Sequence, residues 1–175
     1  FYIEFRLRDY FNLRFIIYDN RREFLITMKF LESIKQRAMA NPKTIVLPET
    51  CDRRTLDAAH IVLKEKLANV ILVGDKNEIE KNANGLDLSN ATFINPKNYE
   101  GMENLISTLV ELRKSKGLTE EDAKKLLTEE PLYFGVMLVN NGIADGMVAG
   151  AVNATADVLR PSLQILKTSP GTKLV

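Results

Sequence analysis

The residues best suited to chemistry lie in one stretch: Gly142-Ile143-Ala144-Asp145-Gly146-Met147-Val148-Ala149-Gly150, followed at a short distance by Asp157-Val158-Leu159-Arg160. A short apolar run ends in small residues. A polar, Ala-rich turn follows, and a helical pattern then carries an arginine. Strand, Gly-rich turn and helix N-terminus together form an anion site, because free backbone N–H groups and the helix dipole both favour negative charge. An arginine adds a planar fork that matches phosphate or carboxylate with two parallel hydrogen bonds. The expected ligand is a small anion or a phosphorylated molecule.

Within this stretch each polar residue has two readings. Arg160 either binds a ligand anion or pairs locally with Asp157 at i,i+3. Leu159 and Pro161 flank it, and an arginine emerging from apolar surroundings calls for an anionic partner. Asn153 and Thr155 offer small hydrogen-bonding groups beside Gly150, either to a ligand or as helix caps. Arg113, in Glu111-Leu112-Arg113-Lys114-Ser115-Lys116-Gly117, either reaches a ligand or simply offsets a helix C-terminal dipole.

The elements that must position these residues alternate between helix and strand. Phe30, Leu31, Ile34 and Ala38 recur at helical spacing, and Asn41-Pro42 stops the run. Residues 44–47 form a short buried strand, and Thr50 is placed to cap a helix whose apolar face carries Leu56, Ala59, Val62 and Leu63. Strands are expected at 69–73, 91–94 and 146–149, and a short helix at 78–83. Leu105, Leu109 and Leu112 mark a longer helix that ends at Lys116-Gly117. Thr119 begins another with a capping-box-like pattern. Helices over 131–141 and 154–167 complete the list, the last with Pro161 inside its first turns. Nearly all-apolar strands separated by helices imply an α/β fold with a parallel sheet covered by helices on both faces. Ligands in such folds sit beyond the carboxyl ends of the strands. That edge carries Pro48-Glu49, Gly74-Asp75 and residues 150–155.

Composition narrows the classes. The chain has 175 residues, 45% hydrophobic and 27% charged, with a net charge of +1. Nothing in this balance supplies the basic face that nucleic acid requires. No apolar run is long enough to cross a bilayer. Cys51 is the only cysteine and His60 the only histidine, so an intrachain disulfide and a Cys/His zinc cluster are both ruled out as expectations. A lone cysteine fits a reducing cytoplasm. G-x-G-x-x-G and Walker A patterns are absent. His60 lies mid-helix between Ala59 and Ile61 and reads as a packed histidine.

Residues 1–27 differ from the rest. They contain no Ala, Gly, Pro, Val, Ser or Lys, yet hold five of the eight Phe. Arg, Asp and Glu are scattered among the aromatics, unlike a secretory signal, and the acids are unlike a mitochondrial presequence. We read 1–27 as a non-native translated leader, with Met28 as the start. Residues 28–149 then form the N-terminal part of a first α/β domain. Residues 150–175 begin a second, and the closing Lys173-Leu174-Val175 reads like the start of a further strand.

From Met28 onward, a series of short blocks resembles one family. They are Phe30-Leu31-Glu32, Thr44-Ile45-Val46-Leu47-Pro48-Glu49, Val73-Gly74, Glu111-Leu112-Arg113-Lys114, Lys116-Gly117, Asp145-Gly146-Met147-Val148-Ala149-Gly150-Ala151, Leu159-Arg160-Pro161, Gln164-Ile165 and Lys167-Thr168. In order and spacing they resemble the N-terminal part of phosphate acetyltransferases (phosphotransacetylases), within the phosphate acetyl/butyryltransferase family. The resemblance implies reversible acyl transfer, acetyl-CoA plus phosphate giving acetyl phosphate plus CoA, in acetate metabolism. It implies coenzyme A as a substrate rather than a tightly bound cofactor, and no metal. It also implies a cytoplasmic homodimer of two-domain subunits whose fold is similar to isocitrate and isopropylmalate dehydrogenases. Arg113 and Arg160 fall on family arginines linked to substrate binding. Gly150, Asn153 and Thr155 fall on a turn that is serine-rich in relatives and reads Asn153-Ala154-Thr155-Ala156 here.

Family members are roughly twice as long as this chain, as two full domains require. The resemblance places the catalytic Ser, Arg and Asp in the other half. The Asp would act as base on the CoA thiol, and the Arg would balance charge as the carbonyl becomes tetrahedral. No residue here maps onto that Asp, so the chain by itself is expected to be inactive. Two other functions remain open: phosphate butyryl transfer, and a non-catalytic module binding CoA or another anion.

Overall fold

A computed structural model describes residues 22–168 and 171–172, with side chains from Lys29 onward. Helix α1 spans Arg22–Ala40, β1 Lys43–Leu47, α2 Arg53–Lys64, β2 Ala68–Val73, α3 Lys76–Ala83 and β3 Thr92–Ile94. Then follow α4 Met102–Arg113, α5 Glu120–Glu129, α6 Pro131–Asn140, β4 Gly146–Met147 and α7 Thr155–Ile165. The sheet has the order β3-β2-β1-β4, and every pairing is parallel. The expectation of an α/β parallel sheet is met.

Strand alternation explains the layering. Successive side chains point to opposite faces, so a strand apolar throughout buries both. Val46, Ile71 and Val73 pack on one face with Leu105, Leu109, Leu127, Phe134 and Met137 from α4, α5 and α6. Leu47, Val70 and Leu72 pack on the other face with Leu56 and Ala59 of α2 and Ile79 and Ala83 of α3. Phe134 is fully buried, and its ring meets Tyr99 edge-on at 5.6 Å between centroids.

Local signals set several boundaries. Thr119 caps α5, its hydroxyl accepting the Asp122 N–H at 3.1 Å. Gly117 adopts a left-handed φ of 71° after a 3-10 turn at Lys114–Lys116, which terminates α4. Other boundaries differ from expectation. Asp52, rather than Thr50, caps α2 by accepting the Arg54 N–H. Thr50 instead turns inward, and its hydroxyl donates to the Val73 carbonyl at 2.8 Å. That bond ties the carboxyl end of β1 to that of β2 and satisfies a buried hydroxyl.

Strand β4 is shorter than the 146–149 expected. Val148 still donates its N–H to the Val46 carbonyl, after which the chain leaves the ladder for a tight loop. Helix α7 starts at Thr155 and stops at Ile165, short of the expected 167, because Lys167 takes a left-handed φ of 61°. It packs on α6: Ile165 joins the main core, and Val158 meets Leu132 and Ala149. Helix α1 carries the apolar positions expected of it, but Phe30, Leu31, Ile34 and Met39 are exposed. Residues 22–27 of the expected leader form its first turns, and 1–21 lie outside the described residues.

Candidate functional site

The site is built where β1 and β4 leave the sheet side by side. Val46 is paired with Met147 in parallel register. Residues three positions further along each strand, Glu49 and Gly150, therefore arrive together. Upstream, Asp145 locks the same register. Its N–H donates to the Thr44 carbonyl and its carboxylate accepts the Thr44 N–H, both at 2.8 Å.

Glu49 is buried, at 5% exposure, and its carboxylate is the acceptor for the whole loop that follows β4. One oxygen accepts the N–H groups of Gly150 and Ala151, each at 2.7 Å. The other accepts the N–H of Val152 at 3.1 Å, the N–H of Asn153 at 2.8 Å and Asn153 Nδ2 at 2.8 Å. Four successive amides pointing at one carboxylate form an anion nest. Gly150 makes the geometry accessible, since its φ of +112° lies in the region that glycine tolerates and L side chains avoid. Burial pushes the Glu49 carboxyl upward, but the donors from Asn153, Ala151 and Val152 together outweigh it and hold the pKa below 4.5.

Arg54 grips the loop from its other side. Its guanidinium donates to the Ala151 carbonyl at 2.6 Å and to the Asp52 carboxylate at 2.8 Å. Asp52 is held down at about 2, first by its side-chain hydrogen bond from Arg54 and then by the Arg54 N–H.

The amides that the sequence offers to a ligand are thus donated to Glu49, and Asn153 donates there from both its backbone N–H and Nδ2. Thr155 is exposed and is the first residue of α7; the capping position falls on Ala154, which makes no side-chain cap. Arg160 is exposed and pairs with Asp157 at 3.6 Å, the local partner that spacing allowed.

Arg113 is different. It ends α4, is half-buried, and forms no hydrogen bond or ion pair among the described residues. A half-buried guanidinium that makes no ion pair is a candidate to receive an anion from outside. Tyr133, near the start of α6, feels the charge of both arginines. Its hydroxyl donates to Gln164 Oε1 of α7 at 3.0 Å. Burial raises the phenol pKa, while the positive charges of Arg160 and Arg113 both pull against that rise. Both arginines, and in the opposite sense Glu130, act electrostatically on this one hydroxyl, although Arg113 and Arg160 are 47 positions apart in sequence (160 − 113).

Sequence reasoning placed Pro48-Glu49 on the ligand edge without seeing that Glu49 fills the nest, and it missed Tyr133. An acid just beyond an apolar strand and a proline was the available signal for Glu49. Tyr133 gave none, because an aromatic in an apolar helix reads as core.

The two remaining reactive side chains make no bond within this arrangement. His60 Nδ1 meets the Asp87 carbonyl at 3.0 Å, and Cys51 is exposed and free. Among the described residues no group of three His, Cys, Asp or Glu could hold a metal, and no helix is long and apolar enough to cross a membrane.

Comparison with known proteins gives a consistent result. The family model for phosphate acetyl/butaryl transferase matches residues 29–175. The phosphate acetyltransferase of Acetivibrio thermocellus is 53% identical over 148 residues, which is 85% of this chain and 44% of that protein. That of Bacillus subtilis is 43% identical over 143 residues, 81% of this chain and 44% of that protein. Among solved structures, a phosphotransacetylase from Streptococcus pyogenes superposes with a TM-score of 0.79 at 38% identity, over 84% of this chain and 45% of that one. The EutD phosphotransacetylase from Staphylococcus aureus gives 0.77 at 40% identity, over 84% and 44%. The chain spans less than half the length of these relatives. A match over residues 29–175, with the same parallel sheet, is decisive: the chain belongs to the phosphate acetyl/butaryl transferase family.

Proposed function

We propose that this chain serves the transfer of an acetyl group between acetyl-CoA and inorganic phosphate, as part of a longer phosphate acetyltransferase. The observation that carries the reading is Arg113. It is half-buried without an ion-pair partner, and it shares the neighbourhood of Tyr133 with Arg160. Phosphate, acetyl phosphate and CoA all carry the phosphate oxygens that two guanidinium groups would hold. Names among the relatives support acetyl over butyryl as the acyl group.

In this reading Arg113 and Arg160 bind the phosphate-bearing substrate. The loop 150–155 shapes the adjacent wall, with Gly150 permitting its turn, Asn153 anchored on Glu49 and Thr155 exposing a hydroxyl. The base that ionises the CoA thiol is supplied from outside this chain, so the chain binds without turnover. The longer protein acts as a cytoplasmic homodimer, with CoA entering and leaving as a substrate. Calorimetric titration of the 175-residue chain with acetyl phosphate and with CoA, beside an assay for thioester formation, tests this. Binding without turnover is the expected result. Absence of binding to both ligands overturns the reading for this chain, and turnover overturns the placement of the base.

A further inference from the structure

We infer that Glu49 is a positioning residue: its carboxylate is the permanent occupant of the nest made by Gly150, Ala151, Val152 and Asn153, and it thereby fixes the first turn of α7, which carries Arg160 toward the substrate anion. The part concerning Arg160 rests on the acyl-transfer reading above; the part concerning the loop does not.

Three observations carry it. First, the nest is saturated. Four backbone N–H groups and Asn153 Nδ2 converge on the two oxygens of Glu49, at 2.7 to 3.1 Å. An external phosphate would have to displace a buried carboxylate that accepts five hydrogen bonds, so the ligand anion goes to the arginines instead. Second, nothing else caps α7. Its capping residue, Ala154, has no side-chain acceptor, and Asp157 and Val158 donate only to the Ala154 carbonyl, at 2.9 and 3.2 Å. The residue just before Ala154 is Asn153, held twice by Glu49, so the position of the first turn descends directly from that carboxylate. Third, the clamp is braced. Arg54 holds the Ala151 carbonyl while Glu49 holds the Ala151 N–H, so the peptide units on both sides of Ala151 are tied. Glu49 lies two residues beyond the carboxyl end of β1, an inner strand of the sheet, and so transfers the register of the sheet to a loop 101 residues away in sequence.

The chemistry of the test follows from Glu49→Gln. Glutamine keeps the volume and one oxygen but turns an NH2 group, which cannot accept, against backbone donors. Amide hydrogen exchange of the full 175-residue chain is measured for the native protein and for E49Q. The amides of residues 150–153, and those of Asp157 and Val158, are expected to exchange at least tenfold faster in E49Q, with β2 unchanged. Unchanged protection of 150–153 overturns the proposal, and so does loss in the loop without loss at Asp157 and Val158. Should E49Q not fold, Asn153→Ala removes only the Nδ2 donor. A local exchange increase at 150–153 then supports the proposal, and no increase overturns it.

Acetyl phosphate binding gives the second readout. E49Q and Arg160→Ala are each expected to weaken it about fivefold or more, and the double variant to be no weaker than R160A. Fully multiplicative losses overturn the positioning of Arg160 by Glu49, because a merely structural defect would not depend on the arginine. If the native chain binds no acetyl phosphate, the acyl-transfer reading fails alone, and exchange still decides the role of Glu49.

Discussion

Glu49 accepts two hydrogen bonds from Asn153 on a single oxygen, one from the backbone N–H and one from Nδ2, both at 2.8 Å. The pair ties the segment leaving a central strand to the residue before the cap of α7. It makes an internal carboxylate, rather than a ligand, the anion that this Gly-rich turn holds. In the proposed function, binding of the substrate anion is then left to Arg113 and Arg160.

Acid should expose the Glu49 bond. Its folded pKa lies below 4.5, so the stability it contributes is fully present above pH 4.5 and is lost as pH falls through the folded value. Asp52, whose folded pKa is about 2, contributes in the same direction at lower pH, where Arg54 is its partner. Urea unfolding of native protein and E49Q across pH 3 to 7 should therefore converge as the solution is acidified. A constant difference across that range would show that the ionised carboxylate is not the stabilising form. At neutral pH, E49Q should cost about 2–3 kcal/mol, the scale of hydrogen bonds to a buried charge.

Gly135 should resist enlargement. A Cβ there would sit 2.7 Å from Met147 Sδ and 3.3 Å from Val46 Cγ1, so α6 lies almost against β1 and β4. The thioether can swing aside, but Val46 is fully buried and has little room. Gly135→Ala gains about 1 kcal/mol in helix propensity and should still lose about 1–2 kcal/mol net through overpacking. Denaturant unfolding reads the sign directly, and a stabilised G135A would contradict the close approach.

Thr50→Val should be destabilising despite its matching shape. It deletes the hydroxyl that donates to the Val73 carbonyl at 2.8 Å and leaves that buried acceptor without its partner. The expected cost is about 1–2 kcal/mol at equilibrium. Were Thr50 a helix cap instead, the loss would appear as fraying of α2 by amide exchange rather than at Val73 and Gly74.

The two arginines should separate binding from stability. Arg160 is exposed, and its pair with Asp157 at 3.6 Å is worth at most about 0.5 kcal/mol. Arg160→Ala should leave the unfolding midpoint almost unmoved while weakening acetyl phosphate about tenfold, or about 1.4 kcal/mol. Arg113→Ala should weaken the same ligand without loss of stability, since it breaks no ion pair among the described residues. Calorimetry and thermal unfolding on the same samples check both, and unchanged affinity in both variants would remove the arginines from the site.

Much of the fold was legible locally. Apolar runs at 44–47 and 69–73 announced parallel strands buried on both faces, because only a sheet covered twice can use a strand with no polar side. Thr119 and Gly117 announced a helix start and a helix end, because capping depends on hydrogen bonds and φ values spanning a few residues. Arg113 stood out by charge at a helix end, and Arg160 by its apolar flanks Leu159 and Pro161. The family blocks, being strings of neighbours, were legible for the same reason. What fills the nest was not. That depended on the pairing of Val46 with Met147, which sets Glu49 beside Gly150 and is decided by the packing of two whole faces of the sheet. Thr50 likewise had a good local use as a cap, and lost it to a carbonyl on a neighbouring strand. Tyr133 met Gln164, and came under the charge of both arginines, only when α6 packed against its neighbouring helices. Sequence by itself determined the elements, their polarity and the charges at their ends, since those energies are local. Tertiary structure alone decided which donor meets which acceptor, since that choice is made by the register of strands far apart in the chain.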